Sequence, residues 1–164
     1  MKLFLTLIAL TITAAPLFAQ ESGFGSQTSL PIPRYVSIKS AEANVRRGPS
    51  LSHRIDWVFK RRHLPVQITA EHGHWRRIRD MEGAGGWVHY SLLSGARYVV
   101  VTGSSVPLKR KPEEAETTNA VAETGVIGKL GDCNANWCEV TADGFSGWVQ
   151  KSQLWGVQAN ELRD

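Results

Sequence analysis

The chain has only two cysteines, Cys133 and Cys138, and the four residues between them include two asparagines. This spacing favours a short hairpin, in which facing Cβ atoms come close enough for a disulfide bond. A tetrahedral metal site would need three or four ligands, and no histidine lies near this pair. A catalytic dithiol is disfavoured because the motif is not C-x-x-C. We therefore predict a disulfide between Cys133 and Cys138.

Histidine is the second residue type that could do chemistry, and all five histidines lie between positions 53 and 89. Only His72 and His74 have ligand-like spacing, and they flank a glycine in a predicted turn, which favours solvated side chains over a metal site. The sequence has no G-x-S-x-G motif, no cysteine with an ordered histidine partner and no recognisable carboxylate pair. We predict no metal, no cofactor and no enzymatic activity.

Positive charge is concentrated in the first half of the chain. Residues 34–97 carry 12 Lys or Arg against 5 acids, a net charge of +7, whereas residues 98–157 carry 5 against 7, a net charge of −2. A positive face would attract anionic polymers or carboxylates. Alternatively, the acidic half docks on the basic half.

The basic residues form a run at 60–62 and a second group at Arg76, Arg77 and Arg79. On a strand, Arg77 and Arg79 would share one face and Arg76 would lie on the other. The favoured explanation is a solvated surface, and the alternative is a groove for acidic peptides. Basic residues interleaved with aromatics can also bind single-stranded nucleic acid. We predict no nucleic-acid partner, because the N-terminal sequence indicates export and nucleic acid is scarce outside the cytoplasm.

These residues lie within a sequence repeat. Trp75 precedes residues 86–88 (GWV), and Trp137 precedes residues 147–149, also GWV. The two copies align with an offset of about 60 residues, which indicates a duplicated small domain and not a solenoid. In this alignment Cys133 and Cys138 match Glu71 and Arg76, so one copy would use a disulfide where the other uses an ion pair. A short-loop disulfide contributes about 2 kcal/mol, and an exposed ion pair about 0.2 to 1 kcal/mol.

Both copies show short alternating segments separated by turn residues, for example at residues 47–50, 71–74, 82–86 and 142–144. This pattern predicts an all-β chain of small barrels, whose closure would remove exposed sheet edges. Large side chains would fill so small an interior, so we predict that the repeated tryptophans are core residues: Trp75, Trp87, Trp137 and Trp148.

The other aromatic residues are less constrained by the repeat. Trp57 is predicted to pack in the core, with an exposed platform as the alternative. Tyr35 and Tyr90 are candidates for ligand contact. Trp155 has no aromatic counterpart in the first copy, and we predict that it covers the junction between the two units.

Residues 44–50 (NVRRGPS), followed by Trp75, the GWV motif and Leu93, resemble the bacterial SH3 domain, whose usual form is N-V-R-x-G-P-S ahead of W-x-x-V and G-W-V. The resemblance covers about residues 35–157, and more narrowly it is similar to exported tandem SH3-like proteins of alphaproteobacteria. It implies two tandem SH3-like β-barrels. The second copy replaces the N-V-R-x-G-P-S element with residues 106–112 (VPLKRKP), which puts its groove in question.

The N-terminus reads as a signal peptide at residues 1–19, with Lys2 before a mostly apolar stretch of 13 residues and a cleavage site after Ala19. An uncleaved membrane anchor is the alternative. We expect a periplasmic or secreted protein without integral membrane insertion after cleavage. Residues 20–33 are rich in Ser, Gly and Pro and are predicted to be a flexible leader. The first domain follows at 34–97, the second at 98–157 and a tail at 158–164.

The resemblance implies a non-catalytic binding or targeting module of the cell envelope, with peptidoglycan or its stem peptides as the partner. The alternative is a structural or assembly protein that binds an extended segment of an envelope protein. The oligomeric state is unknown. The candidate ligand-binding residues are Tyr35, Arg46, Arg47, Trp57, Arg61, Arg62, Arg77, Arg79 and Tyr90.

Overall fold

A computed structural model describes residues 23–164, so the expected signal peptide at residues 1–19 lies outside the described residues. The chain starts with two short strands, β1 (Gly23–Phe24) and β2 (Pro31–Ile32). The first domain has β3 (Arg34–Ile38), β4 (Ala43–Arg46), β5 (Ile55–Phe59), β6 (Pro65–His72), β7 (Trp75–Arg79), β8 (Gly85–His89) and β9 (Leu93–Ser94).

The second domain repeats this series. Its strands are β10 (Tyr98–Val101), β11 (Val106–Lys109), β12 (Thr118–Ala122), β13 (Ile127–Cys133), β14 (Trp137–Ala142), β15 (Phe145–Gln150) and β16 (Leu154–Trp155). A 3-10 turn precedes the last strand of each domain, at Tyr90–Leu92 and Lys151–Gln153. Neither turn, and no other helix within residues 23–164, is long and apolar enough to cross a membrane.

The two domains have the same antiparallel topology. The strand order is β5-β4-β8-β7-β6-β3-β9 in the first sheet and β12-β11-β15-β14-β13-β10-β16 in the second. The predicted all-β fold of two tandem SH3-like barrels is therefore confirmed. One detail differs from the prediction, because β5 and β12 each pair on one side only within the described chain, so closure does not remove every edge.

The GWV motif owes its glycine to the close approach of a neighbouring strand. A Cβ atom on Gly86, which has a φ of +152°, would lie 2.6 Å from the carbonyl oxygen of Arg46 on β4. A Cβ atom on Gly147 would lie 2.8 Å from the backbone carbon of Leu108 on β11. Both distances are too short for a real side chain, so glycine is needed at this position in each copy.

Each barrel encloses its own core of mostly aliphatic side chains. The first core contains Ile38, Ala43, Val45, Val66, Ile68, Ile78 and Val88. The second contains Val99, Val101, Val106, Leu108, Ala122, Leu130, Cys133, Cys138, Val140, Val149, Leu154 and Val157. Branched aliphatic side chains make up most of both cores, and the partly buried Phe59 packs against the first.

The prediction that the repeated tryptophans are core residues is wrong. Trp75 and Trp87 in the first domain, and Trp137 and Trp148 in the second, are only half-buried and belong to neither core. The reason is strand alternation on β7, where Arg76 and Ile78 point inward. Trp75 must then share the outer face with the exposed Arg77 and Arg79.

The predicted disulfide between Cys133 and Cys138 is confirmed. The two residues face each other across β13 and β14, with a Cα–Cα distance of 4.1 Å. Glu71 and Arg76 face each other at the equivalent place on β6 and β7, where Glu71 Oε1 lies 3.4 Å from Arg76 Nε. The duplicated fold therefore uses a covalent link in one copy and an ion pair in the other, as the repeat alignment predicts.

This ion pair is buried, which differs from the exposed pair assumed from the sequence. The side chain of Glu71 is 0% exposed and that of Arg76 is 9% exposed. Glu71 also forms a 2.7 Å ion pair with Arg34. Its carboxylate accepts further hydrogen bonds from the Thr28 hydroxyl and from the backbone N–H groups of Gln27 and Thr28. Glu71 is therefore the centre of a network that joins three parts of the chain.

Burial acts to raise the pKa of Glu71, but hydrogen bonds from Arg34, Thr28 and the backbone of Gln27 outweigh it and lower the pKa to about 2. Glu71 therefore stays ionised over most of the pH range. Because two of these donors belong to residues 27 and 28, the network also fixes the N-terminal segment on the first domain.

Part of the segment predicted to be a flexible leader is instead a β-hairpin. Strands β1 and β2 pair antiparallel, with Gly23 opposite Ile32. The segment is rich in Ser, Gly and Pro, and its Ile32 packs against the first core. It is also held by polar contacts with Glu71, a residue about 40 positions away, so its composition alone does not show that it is ordered.

Aromatic contacts join the two domains. Tyr35 on β3 and Trp155 on β16 meet edge to face with ring centroids 5.2 Å apart. His63 stacks on Tyr98 at 4.3 Å. Trp155 therefore covers the junction, as predicted, and the first and second barrels pack against each other.

Candidate binding site

The outer face of the first sheet carries a tryptophan between two arginines. Arg46 on β4 faces Trp87 on β8, and Trp87 in turn faces Arg77 on β7. Residues paired in register lie on the same face of a sheet, so these three side chains form one row. Arg77 is exposed and makes no side-chain hydrogen bond with residues 23–164, which leaves its guanidinium available to an external anion.

More aromatic rings continue this face toward one end of the sheet. The rings of Trp75 and His89 meet at 5.6 Å, and those of His89 and Tyr90 at 4.9 Å. His74 lies 5.6 Å from Tyr90, and Tyr90 itself is 50% exposed. We refer to this group as the aromatic surface, and it consists of His72, His74, Trp75, Trp87, His89 and Tyr90.

A cavity of about 450 Å³ lies at the end of the aromatic surface. It is lined by Gly73, His74, Arg76 and Tyr90, and by Gln27 from the N-terminal hairpin. Arg76 lies beneath it, with its guanidinium carbon 5.9 Å from the Tyr90 ring. The N-terminal hairpin thus forms one wall of this cavity.

Two of the predicted ligand-binding residues hold the loop between β4 and β5. Arg46 Nη1 donates hydrogen bonds to the carbonyl oxygens of Leu51 and His53, at 3.0 and 2.7 Å. Arg47 forms an exposed ion pair of 3.2 Å with Asp56. Hydrogen bonds from Arg54 and Arg47 lower the pKa of Asp56. Arg46 therefore positions the loop next to the aromatic surface while lying in the row with Trp87.

Three other predicted residues lie away from the aromatic surface or are engaged elsewhere. Arg61 donates a 2.8 Å hydrogen bond to the carbonyl oxygen of Gly125 in the second domain. Arg79 donates to Gln67 Oε1 at 2.8 Å. Arg62 is exposed in the segment that follows β5.

Tyr35 is half-buried at the junction, with the guanidinium carbon of Arg97 5.7 Å from its ring. Burial there raises the pKa of the Tyr35 phenol.

Trp57 is not a core residue, so the favoured prediction for it is wrong and the exposed platform is the arrangement found. Its side chain is 51% exposed on β5. The register places it opposite the buried Val45. Strand β5 is the last in its sheet, however, and nothing among residues 23–164 pairs with its outer side. The nine predicted residues therefore do not form one site, because they are spread over the outer face of the first sheet, the loop, the junction, this edge strand and the segment after it.

The second domain has a groove at the equivalent position with different chemistry. Lys109, Trp148 and Glu139 form the row that corresponds to Arg46, Trp87 and Arg77. The adjacent cavity has a volume of about 780 Å³. Its lining consists of Pro112, Glu113, Glu114, Ala135, Asn136, Trp137, Gln150, Lys151, Ser152, Val157 and Ala159.

The loop beside this second groove is held as in the first domain. Lys109 Nζ donates a 3.0 Å hydrogen bond to the carbonyl oxygen of Glu116, just as Arg46 donates to that of His53. Glu114 accepts a hydrogen bond from the side chain of Gln150, which connects the loop to β15. The altered sequence at 106–112 therefore keeps a cation, Lys109, beside the tryptophan. On β14, Glu139 lies where the first domain has the positively charged Arg77.

Histidines and tryptophans make up most of the aromatic surface, and none of them is among the ligand-binding residues predicted from the sequence. The alternation on β7 was the signal that could have placed Trp75, because it puts that residue on the face of Arg77 and Arg79. Within residues 23–164, no three His, Cys, Asp or Glu side chains are grouped so as to hold a metal ion. The side chains on this face are of types suited to aromatic contact and to pairing with anions.

Two barrels with this strand order, each with a tryptophan-lined groove beside a loop, define a tandem SH3-like binding module. The family model described as "Bacterial SH3 domain" matches residues 39–95 and again residues 102–156. The matches cover more than half of the chain, which therefore belongs to the bacterial SH3 domain family. Domains of this family are typically non-catalytic binding modules. The narrower alphaproteobacterial resemblance stays a prediction.

Solved structures with some similarity include two proteins from Trichomonas vaginalis. NlpC2 is 13% identical with a TM-score of 0.35, and the match covers 75% of this chain and 48% of that protein. NlpC1 is 12% identical with a TM-score of 0.36, covering 80% and 48%. The chain thus spans about half the length of these proteins. No curated protein matches the sequence.

Proposed function

We propose that the protein is a non-catalytic binding module of the cell envelope that recognises peptidoglycan through the stem peptides, and that the aromatic surface of the first domain is the site. It would act in the periplasm or outside the cell, in line with the signal peptide expected at residues 1–19. Membership of the bacterial SH3 family supports a role in binding to the cell wall.

The observation that carries the proposal is the row formed by Arg46, Trp87 and Arg77. A stem peptide presents carboxylates along a short, extended backbone. A guanidinium can bind a carboxylate through two parallel hydrogen bonds, and the exposed guanidinium of Arg77 is accessible to such a ligand. The flat faces of Trp75 and Trp87 can cover the apolar parts of the same peptide.

The experiment is co-sedimentation of residues 20–164 with isolated wall sacculi at low and near-physiological salt. The test variant is Arg77→Glu, and its matched control is Arg62→Glu. The control makes the same change of charge in the same domain, but on a residue outside the aromatic surface. We expect saturable pelleting that Arg77→Glu weakens about tenfold or more, the size expected for one charge-assisted hydrogen-bonded contact.

An equal loss of pelleting in both variants would mean that only net charge matters, because both substitutions change the net charge by the same amount. Such nonspecific attraction would also be screened by salt. That result, or a lack of pelleting at both salt concentrations, would refute the proposal. Release of labelled wall fragments by the purified protein would refute the non-catalytic assignment.

A further inference from the structure

Strand β5 has one free edge. It forms hydrogen bonds with β4 on one side, and none of the other strands described within residues 23–164 pairs with its second side. A free edge presents a row of N–H and C=O groups that another extended chain can pair with. Proteins usually protect such edges with charges, prolines or bulges.

The side chains along β5 are apolar and exposed. Ile55 is 39% exposed, Trp57 51% and Val58 42%. The equivalent edge strand of the second domain, β12, has only one large apolar side chain exposed, Val121, and Asn119 on that strand donates its side-chain hydrogen bond back to the barrel. The apolar edge is therefore a property of the first domain and not of the fold.

Positive charge surrounds both ends of β5. Asp56, the one acid on the strand, is already paired with Arg47 and Arg54. Beyond the other end lie Lys60 and Arg62, which form no ion pair within residues 23–164. A partner strand would therefore meet apolar side chains along the middle of β5 and a net positive charge near each end. At one end Arg47 and Arg54 share the single carboxylate of Asp56, and at the other the basic residues 60–62 outnumber the nearby Asp80 and Glu82.

This charge pattern disfavours a second copy of the chain as the partner. In an antiparallel pair of β5 strands centred on Trp57, Arg54 of each copy would lie opposite Lys60 of the other. Like charges that face each other directly across two strands are destabilising. An acidic partner would turn the same contacts into favourable ones.

We propose that β5 is a docking edge for an extended segment of another protein, which adds a strand beside Ile55–Phe59. Its apolar side chains pack against Trp57 on the face of Val45 and against Ile55 and Val58 on the opposite face. Its acidic residues pair with Arg54, Lys60 and Arg62. Backbone hydrogen bonds supply affinity, and the side-chain contacts supply specificity, as in other cases of strand addition. Trp57 lies on the opposite face of the sheet from Trp87, so its contact with a partner strand does not depend on wall binding.

The test is selection from a displayed library of random nine-residue peptides with residues 20–164 as the target. The selected peptides are then measured against Trp57→Ser and against Val121→Ser, the matched change on β12. We expect enriched peptides to carry apolar residues in the middle and acidic residues near the ends. Trp57→Ser should weaken them about tenfold or more, as at a central interface residue, whereas Val121→Ser and Arg77→Glu should have no effect.

Amide hydrogen exchange on the unmodified protein with the best enriched peptide provides a measurement that needs no variant. Added protection at residues 55–59 supports the proposal, and protection at β7 and β8 instead refutes it. Absence of enrichment, or enriched peptides that bind Trp57→Ser normally, also refutes it. The proposal would also be refuted if the protein formed a dimer that Trp57→Ser disrupts, or if it bound phosphatidylglycerol vesicles and lost that binding on Trp57→Ser.

Discussion

Replacing Glu71 by glutamine should destabilise the first domain by about 3 kcal/mol at neutral pH. The substitution keeps the shape of the side chain and removes the charge that Arg34 and Arg76 face. The pKa of Glu71 is lowered from its ordinary value of 4.5 to about 2, and this difference corresponds to about 3 kcal/mol. The side chain is 0% exposed, so solvent screens this interaction little.

The direction of the pH dependence follows from the lowered pKa. Because the folded protein binds this proton less readily than the unfolded chain, the stabilisation is complete above about pH 4.5, the ordinary pKa. It is lost progressively as the pH falls toward 2. Glu71→Gln lacks the titrating group, so its unfolding free energy should change less over the same range.

The assay is urea denaturation of the wild-type protein and Glu71→Gln at several pH values between 7 and 2. Glu116→Gln serves as the control, because the pKa of Glu116 is also lowered, mainly by hydrogen bonds from Thr117, but this carboxyl is near the surface. We expect little loss of stability in the control. If the wild-type protein and Glu71→Gln lose stability in parallel between pH 5 and 2, the assignment of this pH dependence to Glu71 is wrong.

Two further predictions concern the second domain and the loop. Replacing both Cys133 and Cys138 by serine should destabilise the second barrel by about 2 kcal/mol, and hydrogen exchange should increase in β13 and β14 but not in β6 and β7; equal increases in both domains would contradict this. Arg46→Ala should cost about 0.5 to 1.5 kcal/mol, the net value of a typical hydrogen bond, because water can replace the lost donor at these exposed loop carbonyls. Proteolysis of the 47–54 loop should become faster, and an unchanged cleavage rate would show that Arg46 does not hold the loop.

The sequence predicts the fold well because the signals for it are local or repeated. Alternating strand segments, turn residues and the two GWV motifs each lie within a few residues. The repeat alignment then transfers the pairing of Cys133 and Cys138 to Glu71 and Arg76. That inference holds because equivalent positions in the two barrels form equivalent cross-strand pairs.

The outward orientation of the tryptophans was harder to predict because Arg76 occupies an inward position. A buried arginine requires a partner, and the partner Glu71 is itself neutralised by Arg34 and ordered by Thr28. Those contacts connect distant parts of the chain, so the local pattern around Trp75 does not show which face is inside. Without those contacts, side-chain size alone favours tryptophan as the core residue.

The candidate site was predicted only in part for a similar reason. Of the predicted ligand-binding residues, Arg46, Arg77 and Tyr90 lie on one face of the first sheet, but only cross-strand register shows that Trp87 lies between the two arginines. Trp57, Arg61 and Tyr35 were chosen by residue type, and the fold places them at an edge and at the junction. Whether the chosen residues bind a ligand stays a prediction.

The packed junction between Tyr35 and Trp155 has a consequence for long ligands. Because the barrels are held together, the grooves of the two domains keep a fixed separation, one presenting Arg77 and the other Glu139. A polymer that engages both would bind the second as an intramolecular step, at an effective concentration that depends on its reach. Avidity then selects for the spacing of ligand groups along the polymer as well as for their charge.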